Sequence, residues 1–321
     1  MIKNLKLAVV LMLSFGLALG TAYAAAATAT EPQEHRLTST GPENNFFDLD
    51  LKGSLGDEQD KFQTYLPPVS GALMNETPQI TTELRPMFWF HKIPKESVVG
   101  NGNVYLLAAQ ARIALTKRLG IIATKDGYAW IKPEKTLDHD AGFADLAFGL
   151  KYALLYYPEK DFIFTVGTKY EAPTGTLELN DIHFQGSGKG LQDLFFSTEK
   201  RWGKLGVEGG FGWTIPYDTV RNSGLVHYHA HVDYEILKNL FPTFEFNGYT
   251  VANKGRERAL NFEGVDVFNL GNDGGGTVLT FAPGFRYKIN SHVQVGTAYE
   301  FSVGRHDLID YRVQADMVIS L

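Results

Sequence analysis

The sequence predicts an all-β protein, a transmembrane antiparallel up-and-down β-barrel of about twelve strands, placed after a cleaved signal peptide and a polar N-terminal segment. Three observations lead to it. The chain opens with an export signal yet contains no cysteine. From Thr81 onward its residues alternate apolar and polar with a period of two, as strands with two unlike faces do. The connections between those runs alternate short and long, which is how outer-membrane barrels sort periplasmic turns from extracellular loops.

The export signal occupies residues 1–24. Lys3 and Lys6 precede the apolar run LAVVLMLSFGLALG, and Ala22-Tyr23-Ala24 forms a small-x-small cleavage site. Cleavage there would change the formal charge of −6 to −8, because that stretch holds two lysines and no acid. A mildly acidic chain argues against nucleic acid as a partner. An exported chain of this size without disulfides needs a large core or a closed hydrogen-bonded sheet. No later segment offers the ~20 apolar residues of a membrane helix. The abundance of Phe (22), Tyr (15) and Gly (33) then favours a barrel over a soluble sandwich.

Residues 25–78 are polar, turn-rich and without sustained periodicity, so they read as a periplasmic segment or a plug for the lumen. FFDLDL (46–51) and TYLPPVSG (64–71) are its candidate anchors. The barrel spans residues 79–321, with strands near 80–92, 104–118, 121–132, 143–157, 161–171, 190–202, 204–216, 224–237, 240–252, 277–289, 292–304 and 308–321. In ADLAFGLKYALLYY, Ala144, Leu146, Phe148, Leu150, Tyr152, Leu154 and Tyr156 share one face, and Asp145, Gly149 and Lys151 the other. GIIATKDGYAWIKP has no clean phase, and a bulge at Asp126-Gly127 would reconcile it. Tyr156, Phe162, Trp202, Phe241 and Tyr287 lie beside short turns. Trp130, Tyr170, Trp213, Tyr228 and Tyr249 lie toward long loops, so the two sets are expected to form two interfacial girdles. The alternating run YRVQADMVISL resembles the C-terminal signal that outer-membrane insertion machinery reads, with Leu321 where an aromatic residue is usual.

Three stretches carry a family resemblance. Gly142, Asp145, Gly149, Lys151 and Tyr152 follow a G-x-x-D-x-x-x-G-x-K-Y design, Pro173-Thr174-Gly175 a P-T-G motif, and TPQITTELRPMFWFHKIP precedes both. Over residues 75–175 the chain resembles an outer-membrane transporter family linked to meta-pathway phenol degradation. The resemblance implies uptake of small, often apolar or aromatic compounds, and it supplies no catalytic residues.

The functional candidates centre on GLVHYHAHVDYEIL. The bilayer claims Val226, Tyr228, Ala230, Val232 and Tyr234, which leaves His227, His229, His231, Asp233 and Glu235 facing the lumen, because charge on the lipid face is costly. Glu208 and Glu245 are expected beside them, and Lys151 and Arg286 elsewhere on the lumenal wall. Three readings of the histidines are open: a polar lining, a transition-metal site using His227 and His229, and a pH-responsive solute contact. Three histidines in a row rise over ~13 Å at ~3.3 Å per residue, too far for one ion. No hydrolase, metalloprotease or phosphate-loop motif is present, and no cofactor or enzymatic activity is expected. The partners expected are the lipid bilayer, a small-molecule substrate and the insertion machinery. The function expected is a channel or transporter in the outer membrane of a Gram-negative bacterium. Its alternatives are a closed barrel with a structural or adaptor role through its N-terminal segment and, further off, a surface enzyme.

Overall fold

The alternating runs become strands in the computed structural model, which describes residues 65–321 apart from 126, 136, 258–263, 272–275, 305–307 and 321. The signal peptide, FFDLDL, His306 and Leu321 lie outside the described residues. The strands are β1 (Glu83–Ile93), β2 (Gly102–Ala114), β3 (Leu119–Ala123 and Gly127–Pro133), β4 (Asp140–Phe143 and Leu146–Tyr157), β5 (Phe162–Ala172) and β6 (Leu191–Trp202), followed by β7 (Leu205–Pro216), β8 (Gly224–Tyr234), β9 (Leu240–Asn253), β10 (Thr277–Lys288), β11 (Val293–Val303) and β12 (Tyr311–Ser320). Each pairs antiparallel with its sequence neighbours, and β1 also pairs with β12, with Glu83 opposite Ser320. The sheet is a closed barrel of twelve strands, and closure removes the free edges that a sheet otherwise exposes.

Two strands are interrupted side by side. β3 breaks between Ala123 and Gly127, and β4 between Phe143 and Leu146. Hydrogen bonds from Thr124 N to Ala147 O (3.0 Å) and from Ala144 N to Gly127 O (2.9 Å) keep the wall joined there. This is where the sequence loses its phase. A second irregularity falls in β4 between Ala153 and Leu155, so Leu154 and Leu155 are both exposed and the expected alternation does not run unbroken to Tyr156.

Outward faces are apolar and aromatic. Phe148 (55 % exposed), Phe244 (51 %) and Phe285 (52 %) lie on the outer surface, and Phe164, Phe196 and Phe211 stack across three strands. Near the short turns stand Trp202, Tyr234, Tyr287 and the stacked pair Tyr157–Phe162. Toward the long loops stand Tyr128 with Trp130 and Phe143, and Tyr170 with Tyr217. Phe241 and Tyr249 do not join these girdles. They share the phase of Glu245 and are buried inside, at 3 % and 0 % exposure.

The lumen has two tiers, where the sequence suggested a polar lining throughout. Toward the short turns and the middle it is charged. Toward the long loops it is an apolar cluster built from inward residues such as Trp89, Leu106, Ile131 and Tyr249. The long loops complete that cluster with Leu177, Phe184, Val267, Phe268 and Ile309. At ~25 cal/mol per Å², these buried side chains anchor the loops over the barrel mouth.

Candidate functional site

Residues 65–82 run through the charged tier, bonded to wall strands on both sides. Prolines 67 and 68 and Gly71 break any regular structure, and a turn closes with Met74 N and Asn75 N donating to Gly71 O. Gly71 has φ +63°, and a Cβ there would stand 2.5 Å from Asn247 Oδ1, so only glycine fits without strain. Val69 packs on Ala282 and Ala298, in space left by Gly296, whose added Cβ would lie 2.8 Å from Val69 Cγ2.

Most polar contacts of this segment are sorted by side, while Pro68 O and Tyr65 O accept from Arg85 of β1 and Gln294 of β11. Its N–H groups meet the acidic wall: Val69 N and Ser70 N donate to the two carboxylate oxygens of Glu245, at 2.8 and 2.6 Å. Thr77 donates to Glu208 Oε2 (3.2 Å) and Gln79 to Glu199 Oε2 (2.7 Å). Its carbonyls meet donors on the opposite wall. Gln110 reaches Ala72 O (2.6 Å), Lys169 Met74 O (2.6 Å), Lys151 Thr77 O (3.0 Å) and Thr165 Pro78 O (2.6 Å). Glu76, 1 % exposed, receives the Arg112 fork at 2.6 and 2.9 Å and Lys151 Nζ at 2.9 Å. The ion pairs with Arg112 and Lys151 offset the cost of burying the Glu76 carboxylate.

The histidines of β8 lie on the acidic side, among residues of β6, β7 and β9. Glycines on β7 let side chains from the two neighbouring strands meet across it. Over Gly206, Arg201 of β6 grips Asp233 of β8 at 2.9 and 2.7 Å. Past Gly212, His227 Nε2 meets Asp193 at 2.9 Å, while its Nδ1 contacts Asn75 Oδ1 at 3.1 Å. His231 Nδ1 lies 3.1 Å from Glu245 Oε1. His229 leans over Gly210, its Nε2 3.6 Å from Glu208. An alanine at 212 would put its Cβ 2.2 Å from His227 Nε2. Gly212→Ala is therefore expected to lower stability by about 1–3 kcal/mol. Urea unfolding should show that loss shrinking sharply in a His227→Ala background, because the clash and the Asp193 bond are then already gone.

Of the residues singled out from sequence, His227, His229, His231, Asp233, Glu208 and Glu245 are brought together on this wall. Lys151 stands across the lumen on Glu76, and Arg286 pairs with Asp316 at 2.9 and 3.0 Å. Glu235 lies apart, past the end of β8, accepting from Asn239 N at 3.3 Å in the turn. Among the described residues no three histidine or acidic side chains stand close enough together to hold a metal ion. His227, half of the candidate metal pair, has both ring nitrogens engaged. Sequence reasoning missed Glu76, Arg112 as its partner, and Asp193. The signal within reach was the excess of cations (Arg112, Lys151, Lys169) on β2, β4 and β5, which calls for an acid from elsewhere.

The geometry also accounts for the G-x-x-D and P-T-G motifs. Asp145 Oδ1 accepts from Gly175 N at 2.7 Å and from Gly186 N at 2.9 Å, which pins the long loop after β5 to the break in β4. A Cβ at Gly149 would meet Thr168 O at 2.0 Å.

A closed twelve-stranded barrel with an apolar outer face and a charged interior defines the transmembrane β-barrel class. No protein-family model and no curated protein sequence matches the chain. Among solved structures, the chain is similar in fold to an outer membrane channel from Pseudomonas putida F1, at 14 % identity and a TM-score of 0.56, covering 80 % of this chain and 100 % of that one. The NanC porin follows at 9 % identity and TM-score 0.48 (75 % and 100 % covered), and the KdgM porin at 10 % and 0.42 (74 % and 99 %).

Proposed function

We propose that the protein is an outer-membrane channel for small molecules, located in a Gram-negative bacterium, with residues 65–82 as the closure of its lumen. One observation carries this reading. Beside the ion pairs that wall side chains make with one another, the charged tier holds a separate stretch of chain, docked by hydrogen bonds and by the Glu76 ion pairs. A wall built only for stability would fill its interior with its own residues, as small closed barrels do. Here wall glycines 206, 210, 212 and 296 keep space that side chains and the segment occupy.

The outward apolar surface and its two aromatic bands support membrane placement, and the paired β1 and β12 ends lie on the short-turn side. The upper apolar tier suits solutes with apolar or aromatic bodies, in keeping with the sequence resemblance. Ala72, Leu73 and Met74 belong to that same cluster, so withdrawal of the segment also removes the floor of the upper seal.

A second reading, a permanently closed structural or adaptor barrel, is favoured by that upper seal. A tether separates the two. Ser70 Oγ and Asn247 Nδ2 are 2.8 Å apart, and the chain has no native cysteine. In Ser70→Cys/Asn247→Cys proteoliposomes, joining the two thiols with a disulfide or a short cleavable linker is expected to stop uptake of a small aromatic solute. Cleaving the link should restore it. Uptake that ignores the tether, or none in either state, argues against a movable closure.

A further inference from the structure

We infer that Arg112 and Lys151 form a carboxylate-binding site, occupied in this structure by the chain's own Glu76, and that the solutes it takes are small organic acids with an apolar body. The inference rests on the channel reading, since a solute reaches this site only where the segment gives way.

The site has the chemistry of a receptor for one carboxylate. The Arg112 guanidinium makes a two-pronged contact with both oxygens of Glu76, the geometry that distinguishes carboxylate recognition from simple charge attraction. Lys151 adds a third contact at 2.9 Å. All three side chains are at most 2 % exposed. On the wall itself Glu83 pairs with Arg112 Nη1 at 3.0 Å. When Glu76 departs, Arg112 loses its two-pronged partner and Lys151 its ion-pair partner in a buried place, which strongly favours another anion over an empty site.

The body of the ligand follows from what adjoins the site. Gln110, two residues from Arg112 on the same face of β2, bonds Ala72 O, and Ala72, Leu73 and Met74 join the apolar cluster with Leu106 and Ala108 of the same strand. The order along the inward face of β2 is thus apolar toward the long loops, then amide, then guanidinium. A molecule arriving from the long-loop end would keep its hydrocarbon part in the apolar tier while its carboxylate reached Arg112. Such a ligand replaces Met74 and Glu76 together, so binding and displacement of the segment become one event.

The test uses phenylacetate and its uncharged isostere phenylacetamide on the full mature chain, folded in detergent, by titration calorimetry. Glu76→Gln keeps the shape and removes the charge of the internal occupant. It is expected to bind phenylacetate about tenfold more tightly than the wild type, and phenylacetamide no better than the wild type does. Adding Arg112→Gln should abolish the gain. Equal binding of acid by Glu76→Gln and wild type, or equal binding of acid and amide, overturns the inference. Should Glu76→Gln fail to fold, the wild type decides. Phenylacetate should speed proteolysis within residues 65–82 and phenylacetamide should not, and equal cleavage with both overturns it. A barrel that conducts after deletion of the segment but does not discriminate acid from amide refutes this inference while leaving the channel reading intact.

Discussion

Arg312→Met is expected to be among the most destabilising single substitutions in the barrel, at about 3–5 kcal/mol. Arg312 is fully buried on β12 and holds three other elements at once. Its guanidinium grips Asp266 of the long loop after β9 at 3.0 and 2.9 Å, meets Glu300 of β11 at 3.2 Å, and lies 4.4 Å over the ring of Trp89 on β1. His91 Nδ1 is 3.2 Å from it as well. Methionine fills a similar volume but leaves Asp266 and Glu300 as unpaired charges in a closed interior, and that desolvation is the larger part of the loss. Because Asp266 sits beside Val265, Val267 and Phe268 of the apolar cluster, the loop should be released along with the strand pairing. Heat-dependent gel migration and urea titration measure the first effect, and proteolysis within 254–276 the second. An unchanged midpoint would show that the ion cluster is not what holds the long loop.

Glu245→Leu is expected to produce the largest change in function. One carboxylate of β9 receives two successive backbone N–H groups of the segment and the His231 ring. Each hydrogen bond to a charged group contributes about 1.5–3 kcal/mol. Losing two such bonds weakens docking of the segment by roughly 3 kcal/mol, about a hundredfold in its equilibrium, because 1.4 kcal/mol is a factor of ten. Residues 65–82 should become sensitive to protease while the strands remain protected. Glu245→Gln, which keeps an acceptor but no charge, should fall between the variant and the wild type. Full protection in both variants would mean that the Val69–Ser70 contact does not govern docking.

Most of the architecture was legible because a lipid-facing barrel imposes a period of two on every strand. Each of the twelve strands overlaps one run read from alternation, and the unphased stretch around Asp126 coincides with the break in β3. Alternation also assigned His227, His229 and His231 to the inner face. It did not reveal what that face meets, because Asp193 reaches His227 and Arg201 reaches Asp233 from β6 across glycines of β7, and only register brings those residues into line. Proximity to the turns and loops points Phe241 and Tyr249 to the girdles, whereas their shared phase with Glu245 turns them inward. The apolar tier was hidden for a different reason. Leu177, Phe184, Phe268 and Ile309 reach it from loops, where no periodicity marks a side chain as buried. Glu76 was hidden likewise, in an aperiodic stretch whose turn chemistry (Pro67, Pro68 and Gly71) announced an anchor but not its direction.

Planar-bilayer conductance of the mature chain, with and without residues 25–78, tests the central claim most directly. The account predicts discrete steps only after the deletion, because the segment that fills the charged tier and floors the apolar one is then gone. Steps of equal size in both forms, or silence from a deletion variant shown to be folded, would contradict it.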